Sequence, residues 1–205
     1  MELSTWLSVA AICILGAMSP GPSLAVVVRN TVAGSRALGV ATALGHGAGV
    51  GLYAFLTAAG LAVVIARSPA LYDLVRWAGA AFLLYLGLKA LFAQAPAPGL
   101  SPEAGHVQAQ PGSRGAREGF LIAFLNPKIA VFFLALFSQF VSPDAGWAEK
   151  GILTATAGGI DALWYVLVAI ALSRSGVLER LRARAVIIDR VTGVVLVAVA
   201  VRVAI

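Results

Sequence analysis

Apolar residues in this chain fall into six blocks, Leu3 to Val32, Leu38 to Ile65, Leu71 to Phe92, Gly119 to Val141, Gly151 to Leu172 and Val186 to Ala204. A helix rises about 1.5 Å per residue, so roughly 20 residues cross a hydrocarbon core about 30 Å thick. Each block is about that long, and no ordinary soluble core calls for six such runs. Composition agrees, with 60% hydrophobic and only 12% charged residues, where soluble domains carry about 25% charged. The chain is therefore expected to be an all-α integral membrane protein of six transmembrane helices. The first block reads as a retained span, because no Lys or Arg precedes it and it is too long for the apolar region of a signal peptide.

Assigning the connections alternately to the two faces puts Arg29, Arg36, Lys89, Arg114, Arg117, Arg174, Arg180, Arg182, Arg184 and Arg190 together. The opposite face keeps Arg67, Arg76, Lys150 and Arg202. Positive charge favours the cytoplasmic side, which makes the crowded face cytoplasmic and predicts a multi-pass protein with both termini outside. The formal net charge of +6 thus reports orientation, and no nucleic-acid partner is expected. The stretch SRSGVLERLRARAV reads as a basic helix on the inner leaflet. Cys13 is the single cysteine, which excludes an internal disulfide or a dithiol pair.

Residues 93–118 are rich in Pro, Gly, Ala and polar residues, and read as a flexible cytoplasmic linker. They separate two three-helix units, 1–92 and 119–205. Each unit opens with a proline-interrupted helix, SPGPSLAVVV at Ser19 to Val28 and NPKIAVFF at Asn126 to Phe133. Each closes with a helix begun by Arg-x-x-Gly, at Arg76 to Gly79 and Arg190 to Gly193. Three spans per unit force the second to cross in the opposite sense, giving two inverted three-helix repeats with broken first and fourth helices. In such architectures the matched breaks mark the binding site.

Proline removes an amide donor and clashes one turn back, while glycine adopts angles that other residues resist. Pro20, Gly21 and Pro22 should break the first helix, and Pro127 the fourth. In hydrocarbon the freed backbone groups persist only where protein or a wet cavity covers them. Helix N-termini beyond Pro22 and Pro127 suit a carboxylate, and the preceding carbonyl ends suit an ammonium. A zwitterionic amino acid offers both, as do other small ions; a structural kink without a ligand is the alternative.

Ionisable groups within apolar blocks are costly and face the interior or a partner. Lys128 needs an anionic neighbour, and Asp161 is the one acid deep inside a block. The two form either a structural ion pair or a pair for which substrate or a proton competes. His46, within GHGAGVG, either carries protons near neutral pH or packs as a hydrogen-bonded group between close helices. Gly45 with Gly49, and Gly47 with Gly51, are spaced for an internal or a dimer contact.

Several stretches in order resemble the LysE/RhtB family of amino-acid exporters: SPGP, GSRALGVATALGHGAGVGL, GLAVVIARSPALYDLVRWAGAAFLLYLGLKAL and GFLIAFLNPKIAVFFLALFSQFV. The resemblance implies a six-helix inner-membrane protein that expels amino acids or their derivatives, driven by the proton gradient, without a cofactor. It would place Pro20, Gly21, Pro22, Asn126, Pro127 and Lys128 in the transport core, with Asp161 as a coupling group. The chain departs from the family at Ser23, where Asn or Asp is common after PGP, and at Ser138, where Pro commonly precedes QF. Ser23 keeps a hydroxyl beside the proposed substrate site.

Other functions fit less well. Ser23, His46 and Asp161 contain the residue types of a hydrolytic triad, but no Gly-x-Ser-x-Gly elbow frames Ser23. A metal-cation exporter would want several convergent carboxylates or imidazoles. No enzymatic activity is expected.

Overall fold

The computed structural model describes residues 1–19, 21–92, 111–141, 145–172 and 177–202. They form eight α-helices and a π-helical turn, without a strand among them: α1 Leu3–Met18, α2 Pro22–Arg29, the π turn Asn30–Gly34, α3 Arg36–Arg67, α4 Pro69–Leu91, α5 Gly112–Phe124, α6 Pro127–Phe140, α7 Trp147–Ala171 and α8 Val177–Arg202.

Three of these, α3, α4 and α7, are each long and apolar enough to cross a membrane. Two further candidates reach that length only as bent pairs, α1 with α2 and the π turn at 60°, and α5 with α6 at 57°. Length and composition thus support three to five spans among the described residues, where six were expected. The sixth block is helical as far as Arg202, but Asp189, Arg190 and Arg202 interrupt its apolar run. The basic stretch expected to lie separately on the leaflet is, from Val177 onward, continuous with that block in α8. No proline or glycine lies between Val177 and Val191, and Leu, Arg and Ala all favour helix, so nothing stops it.

Helix starts follow local chemistry. Ser68 Oγ accepts the Leu71 amide at 3.3 Å and Pro69 opens α4. Asn126 Oδ1 accepts the Lys128 amide at 3.0 Å and Pro127 opens α6. Proline at the first helical position loses nothing, because its missing N–H would have been unpaired there.

Lipid tails are as apolar as leucine, so helices in a membrane gain most from backbone approach at small residues. A Cβ on Gly45 of α3 would sit 1.9 Å from the Ala116 carbonyl oxygen, and one on Gly119 of α5 would sit 2.0 Å from that of Thr42. On the other face of α3, a Cβ on Gly158 of α7 would lie 2.8 Å from the Gly47 carbonyl oxygen and 3.0 Å from Gly51 Cα. The two overlapping glycine pairs therefore serve two internal interfaces, one with α5 and one with α7. The α4 and α8 helices meet similarly, a Cβ on Gly193 falling 2.7 Å from the Gly87 carbonyl oxygen.

The same packing explains why α5 begins at Gly112, inside the stretch 93–118 expected to be linker. Gly115 already lies against the Leu38 carbonyl, 2.8 Å from where its Cβ would be. Residues 93–110 of that stretch lie outside the described residues. Phe133, Leu136 and Phe137 of α6 join Leu83 of α4, Leu153 of α7 and Val9 of α1 in one core. Leu44, Leu52 and Leu56 of α3 are exposed, an arrangement suited to lipid.

Candidate substrate site

Both helix breaks border one cavity of about 870 Å³. Gly21, Pro22 and Ser23 reach it from the first break, and Asn126, Pro127 and Lys128 from the second. His46 of α3 and Asp161 of α7 line it as well. The cavity thus gathers every sequence-predicted site residue except Pro20, which lies outside the described residues. Phe82, Leu86, Phe132 and Leu196 supply an apolar wall between the polar groups.

Polar groups cluster at two places. In the first, His46 Nδ1 lies 2.6 Å from Asp161 Oδ2, with His46 only 1% exposed. Asp161 therefore meets His46, and the ion pair considered for Lys128 with Asp161 does not form among the described residues. Tyr165, one turn beyond Asp161 on α7, stacks edge-on against the His46 ring with centroids 5.0 Å apart, and Ser23 lines the same cavity. His46 Nε2 is buried without a hydrogen-bond partner among the described residues. This placement follows from the glycines on either side of His46. Gly45 and Gly47 let α5 and α7 close in, and the imidazole is carried into the seam between them.

The second cluster surrounds the ends of α1 and α6. Ser19, the last residue before the first break, donates its hydroxyl to Asp189 Oδ1 of α8 at 3.1 Å. Asp189, Lys128 and Lys89 all line the cavity, and Lys128 interacts electrostatically with both of the others. Asp189 was not anticipated from the sequence, because the acid stands beside Arg190 at the edge of a basic stretch. Its one signal was a carboxylate three residues inside an apolar block.

The two breaks differ in what they expose. Asn126 caps its own helix: its side chain takes the Lys128 amide, and its carbonyl oxygen takes those of Ile129 and Ala130, both at 3.1 Å. The N-terminus of α6 therefore has less free amide for an anion than expected, and its attraction rests on the helix dipole and the Lys128 ammonium. At the other break Gly21 is fully extended, with φ −173° and ψ −171°, and a Cβ there would touch nothing within 4 Å. Any residue adopts that backbone, so the freedom expected of Gly21 is not used.

Pro22, Asn126 and Pro127 also border a second cavity of about 840 Å³, lined by Arg29, Arg114, Arg117 and Glu118. Here Arg29 of α2 pairs with Glu118 of α5. Asn30 donates to Glu118 Oε2 at 3.0 Å and to Thr42 Oγ1 at 2.9 Å, tying the π turn to α5 and α3. Two cavities, each with charged residues in a largely apolar lining, thus meet at the helix breaks.

An apolar helical bundle, broken twice around a cavity with charged walls, is built as a multi-pass membrane transporter is built. The chain belongs to the LysE type translocator family, whose model matches residues 14–205. It is a translocator rather than an enzyme. An uncharacterized membrane protein of Vibrio cholerae serotype O1 is 27% identical over 164 residues, covering 80% of this chain and 78% of that protein. Proteins of Salmonella choleraesuis and Salmonella typhimurium named leucine efflux protein are 33% identical over 126 residues, covering 62% of this chain and 58% of their own length. No solved structure matches.

Proposed function

We propose that this translocator exports amino acids or their derivatives across a bacterial inner membrane by proton antiport. The observation that carries the reading is that both helix breaks open on the cavity that also holds the buried His46–Asp161 pair. Helix dipoles and Lys128 draw the substrate carboxylate, while the pair takes up and releases the proton. Substrate and proton then occupy the cavity in turn, and the units 1–92 and 119–205 rock against each other as inverted repeats. The uneven distribution of Lys and Arg supports a cytoplasmic linker and outward-facing termini. The leucine efflux proteins of Salmonella support an amino-acid substrate.

The test is efflux from preloaded proteoliposomes, with a panel of amino acids, with and without an imposed proton gradient. The expected result is gradient-dependent efflux of one chemical group of amino acids. It should be lost in a Pro20→Ala, Pro22→Ala double variant that still inserts. Absence of efflux for every amino acid from folded protein would overturn the reading in favour of another small solute.

A further inference from the structure

An acidic and a basic side chain line the cavity without pairing directly among the described residues. Asp189 of α8 and Lys128 of α6 both line it and interact electrostatically, yet no direct ion pair joins them among the described residues. Asp189 is held in place rather than neutralised. Ser19 engages Oδ1 alone. One turn on, Thr192 donates to Ile188 at 2.8 Å and reaches the Leu15 carbonyl oxygen at 3.4 Å, fixing α8 against the end of α1. Oδ2 has no protein donor among the described residues. A carboxylate in such a setting is stabilised by a cationic donor.

Resting on the amino-acid reading above, the geometry points to Asp189 as the seat of the substrate's α-ammonium group, opposite Lys128, which takes the carboxylate. The ammonium donates to the free Oδ2 and to the carbonyl ends left by the break after Met18. The carboxylate lies against the Lys128 ammonium at the positive end of α6. The aliphatic and aromatic wall of Phe82, Leu86 and Phe132 is left for the substrate side chain. Binding and proton coupling then reside in different carboxylates, Asp189 and Asp161, on different helices.

The experiment measures proteoliposome efflux of the best-transported amino acid and its N-acetyl derivative, which lacks the ammonium, for wild type, Asp189→Asn, Asp189→Glu and Asp161→Asn. Asp189→Asn should raise the KM for the free amino acid at least tenfold and abolish the preference for it over the N-acetyl form. Asp189→Glu should recover most of that preference, which also controls for folding. Asp161→Asn should lose gradient-driven transport while keeping the preference. Wild-type KM and undiminished preference in Asp189→Asn would overturn the assignment alone. Failure of the wild type to move any amino acid would instead overturn the underlying exporter reading.

Discussion

His46 Nδ1 and Asp161 Oδ2, 115 positions apart in the chain, lie 2.6 Å from each other across the α3–α7 interface. Close approach of the two helices at Gly47 and Gly158 makes the contact. If this pair couples transport to protons, Asp161→Asn should abolish uphill export. Downhill exchange should persist, because exchange needs no net proton transfer. The comparison of the two modes in one liposome preparation checks this. Uphill export at the wild-type rate would rule out a coupling role for Asp161.

The same pair should matter for stability. Removing one partner of a buried hydrogen bond costs about 1–3 kcal/mol, because the remaining group is left unsatisfied. His46→Leu should therefore be strongly destabilising, and the double variant His46→Leu, Asp161→Leu should lose less than the sum of the single changes. Denaturant titration in detergent micelles gives the cycle, and simple additivity would mean that the contact contributes nothing.

Glycines in this chain should divide sharply by position. Gly119→Ala would drive its Cβ to 2.0 Å from the Thr42 carbonyl oxygen, so α5 must move off α3, at a cost of about 1–3 kcal/mol or more. Gly21→Ala meets nothing within 4 Å and should change thermal stability by no more than about 0.5 kcal/mol. Melting curves of the two variants side by side test the contrast.

Arg29 and Glu118 form a part-exposed bridge between α2 and α5. Part-exposed pairs contribute only about 0–1 kcal/mol and are screened by salt. Arg29→Gln should lower stability by at most that amount at low salt and by less at 1 M salt. A salt-independent loss would mean that the arginine acts through packing of its stem.

Much of the molecule was legible in the residues themselves. Long apolar blocks require helices, because backbone groups in hydrocarbon must be paired within the segment. The prolines at 22 and 127 require breaks, because no helix continues unaltered through a residue without an amide hydrogen. Where the first and fourth helices break is a local property, and the sequence by itself determined it. It also marked His46, Asp161 and Lys128 as costly enough to need partners, but not which partners they take. Tertiary packing decided that. Asp161 meets His46 because glycines on α3 let α7 approach, and Lys128 shares its cavity with Asp189, a residue of α8. Partnership across the bundle depends on how two helices cross, and a crossing is set by small residues on both helices at once. Neither chain segment carries that information alone.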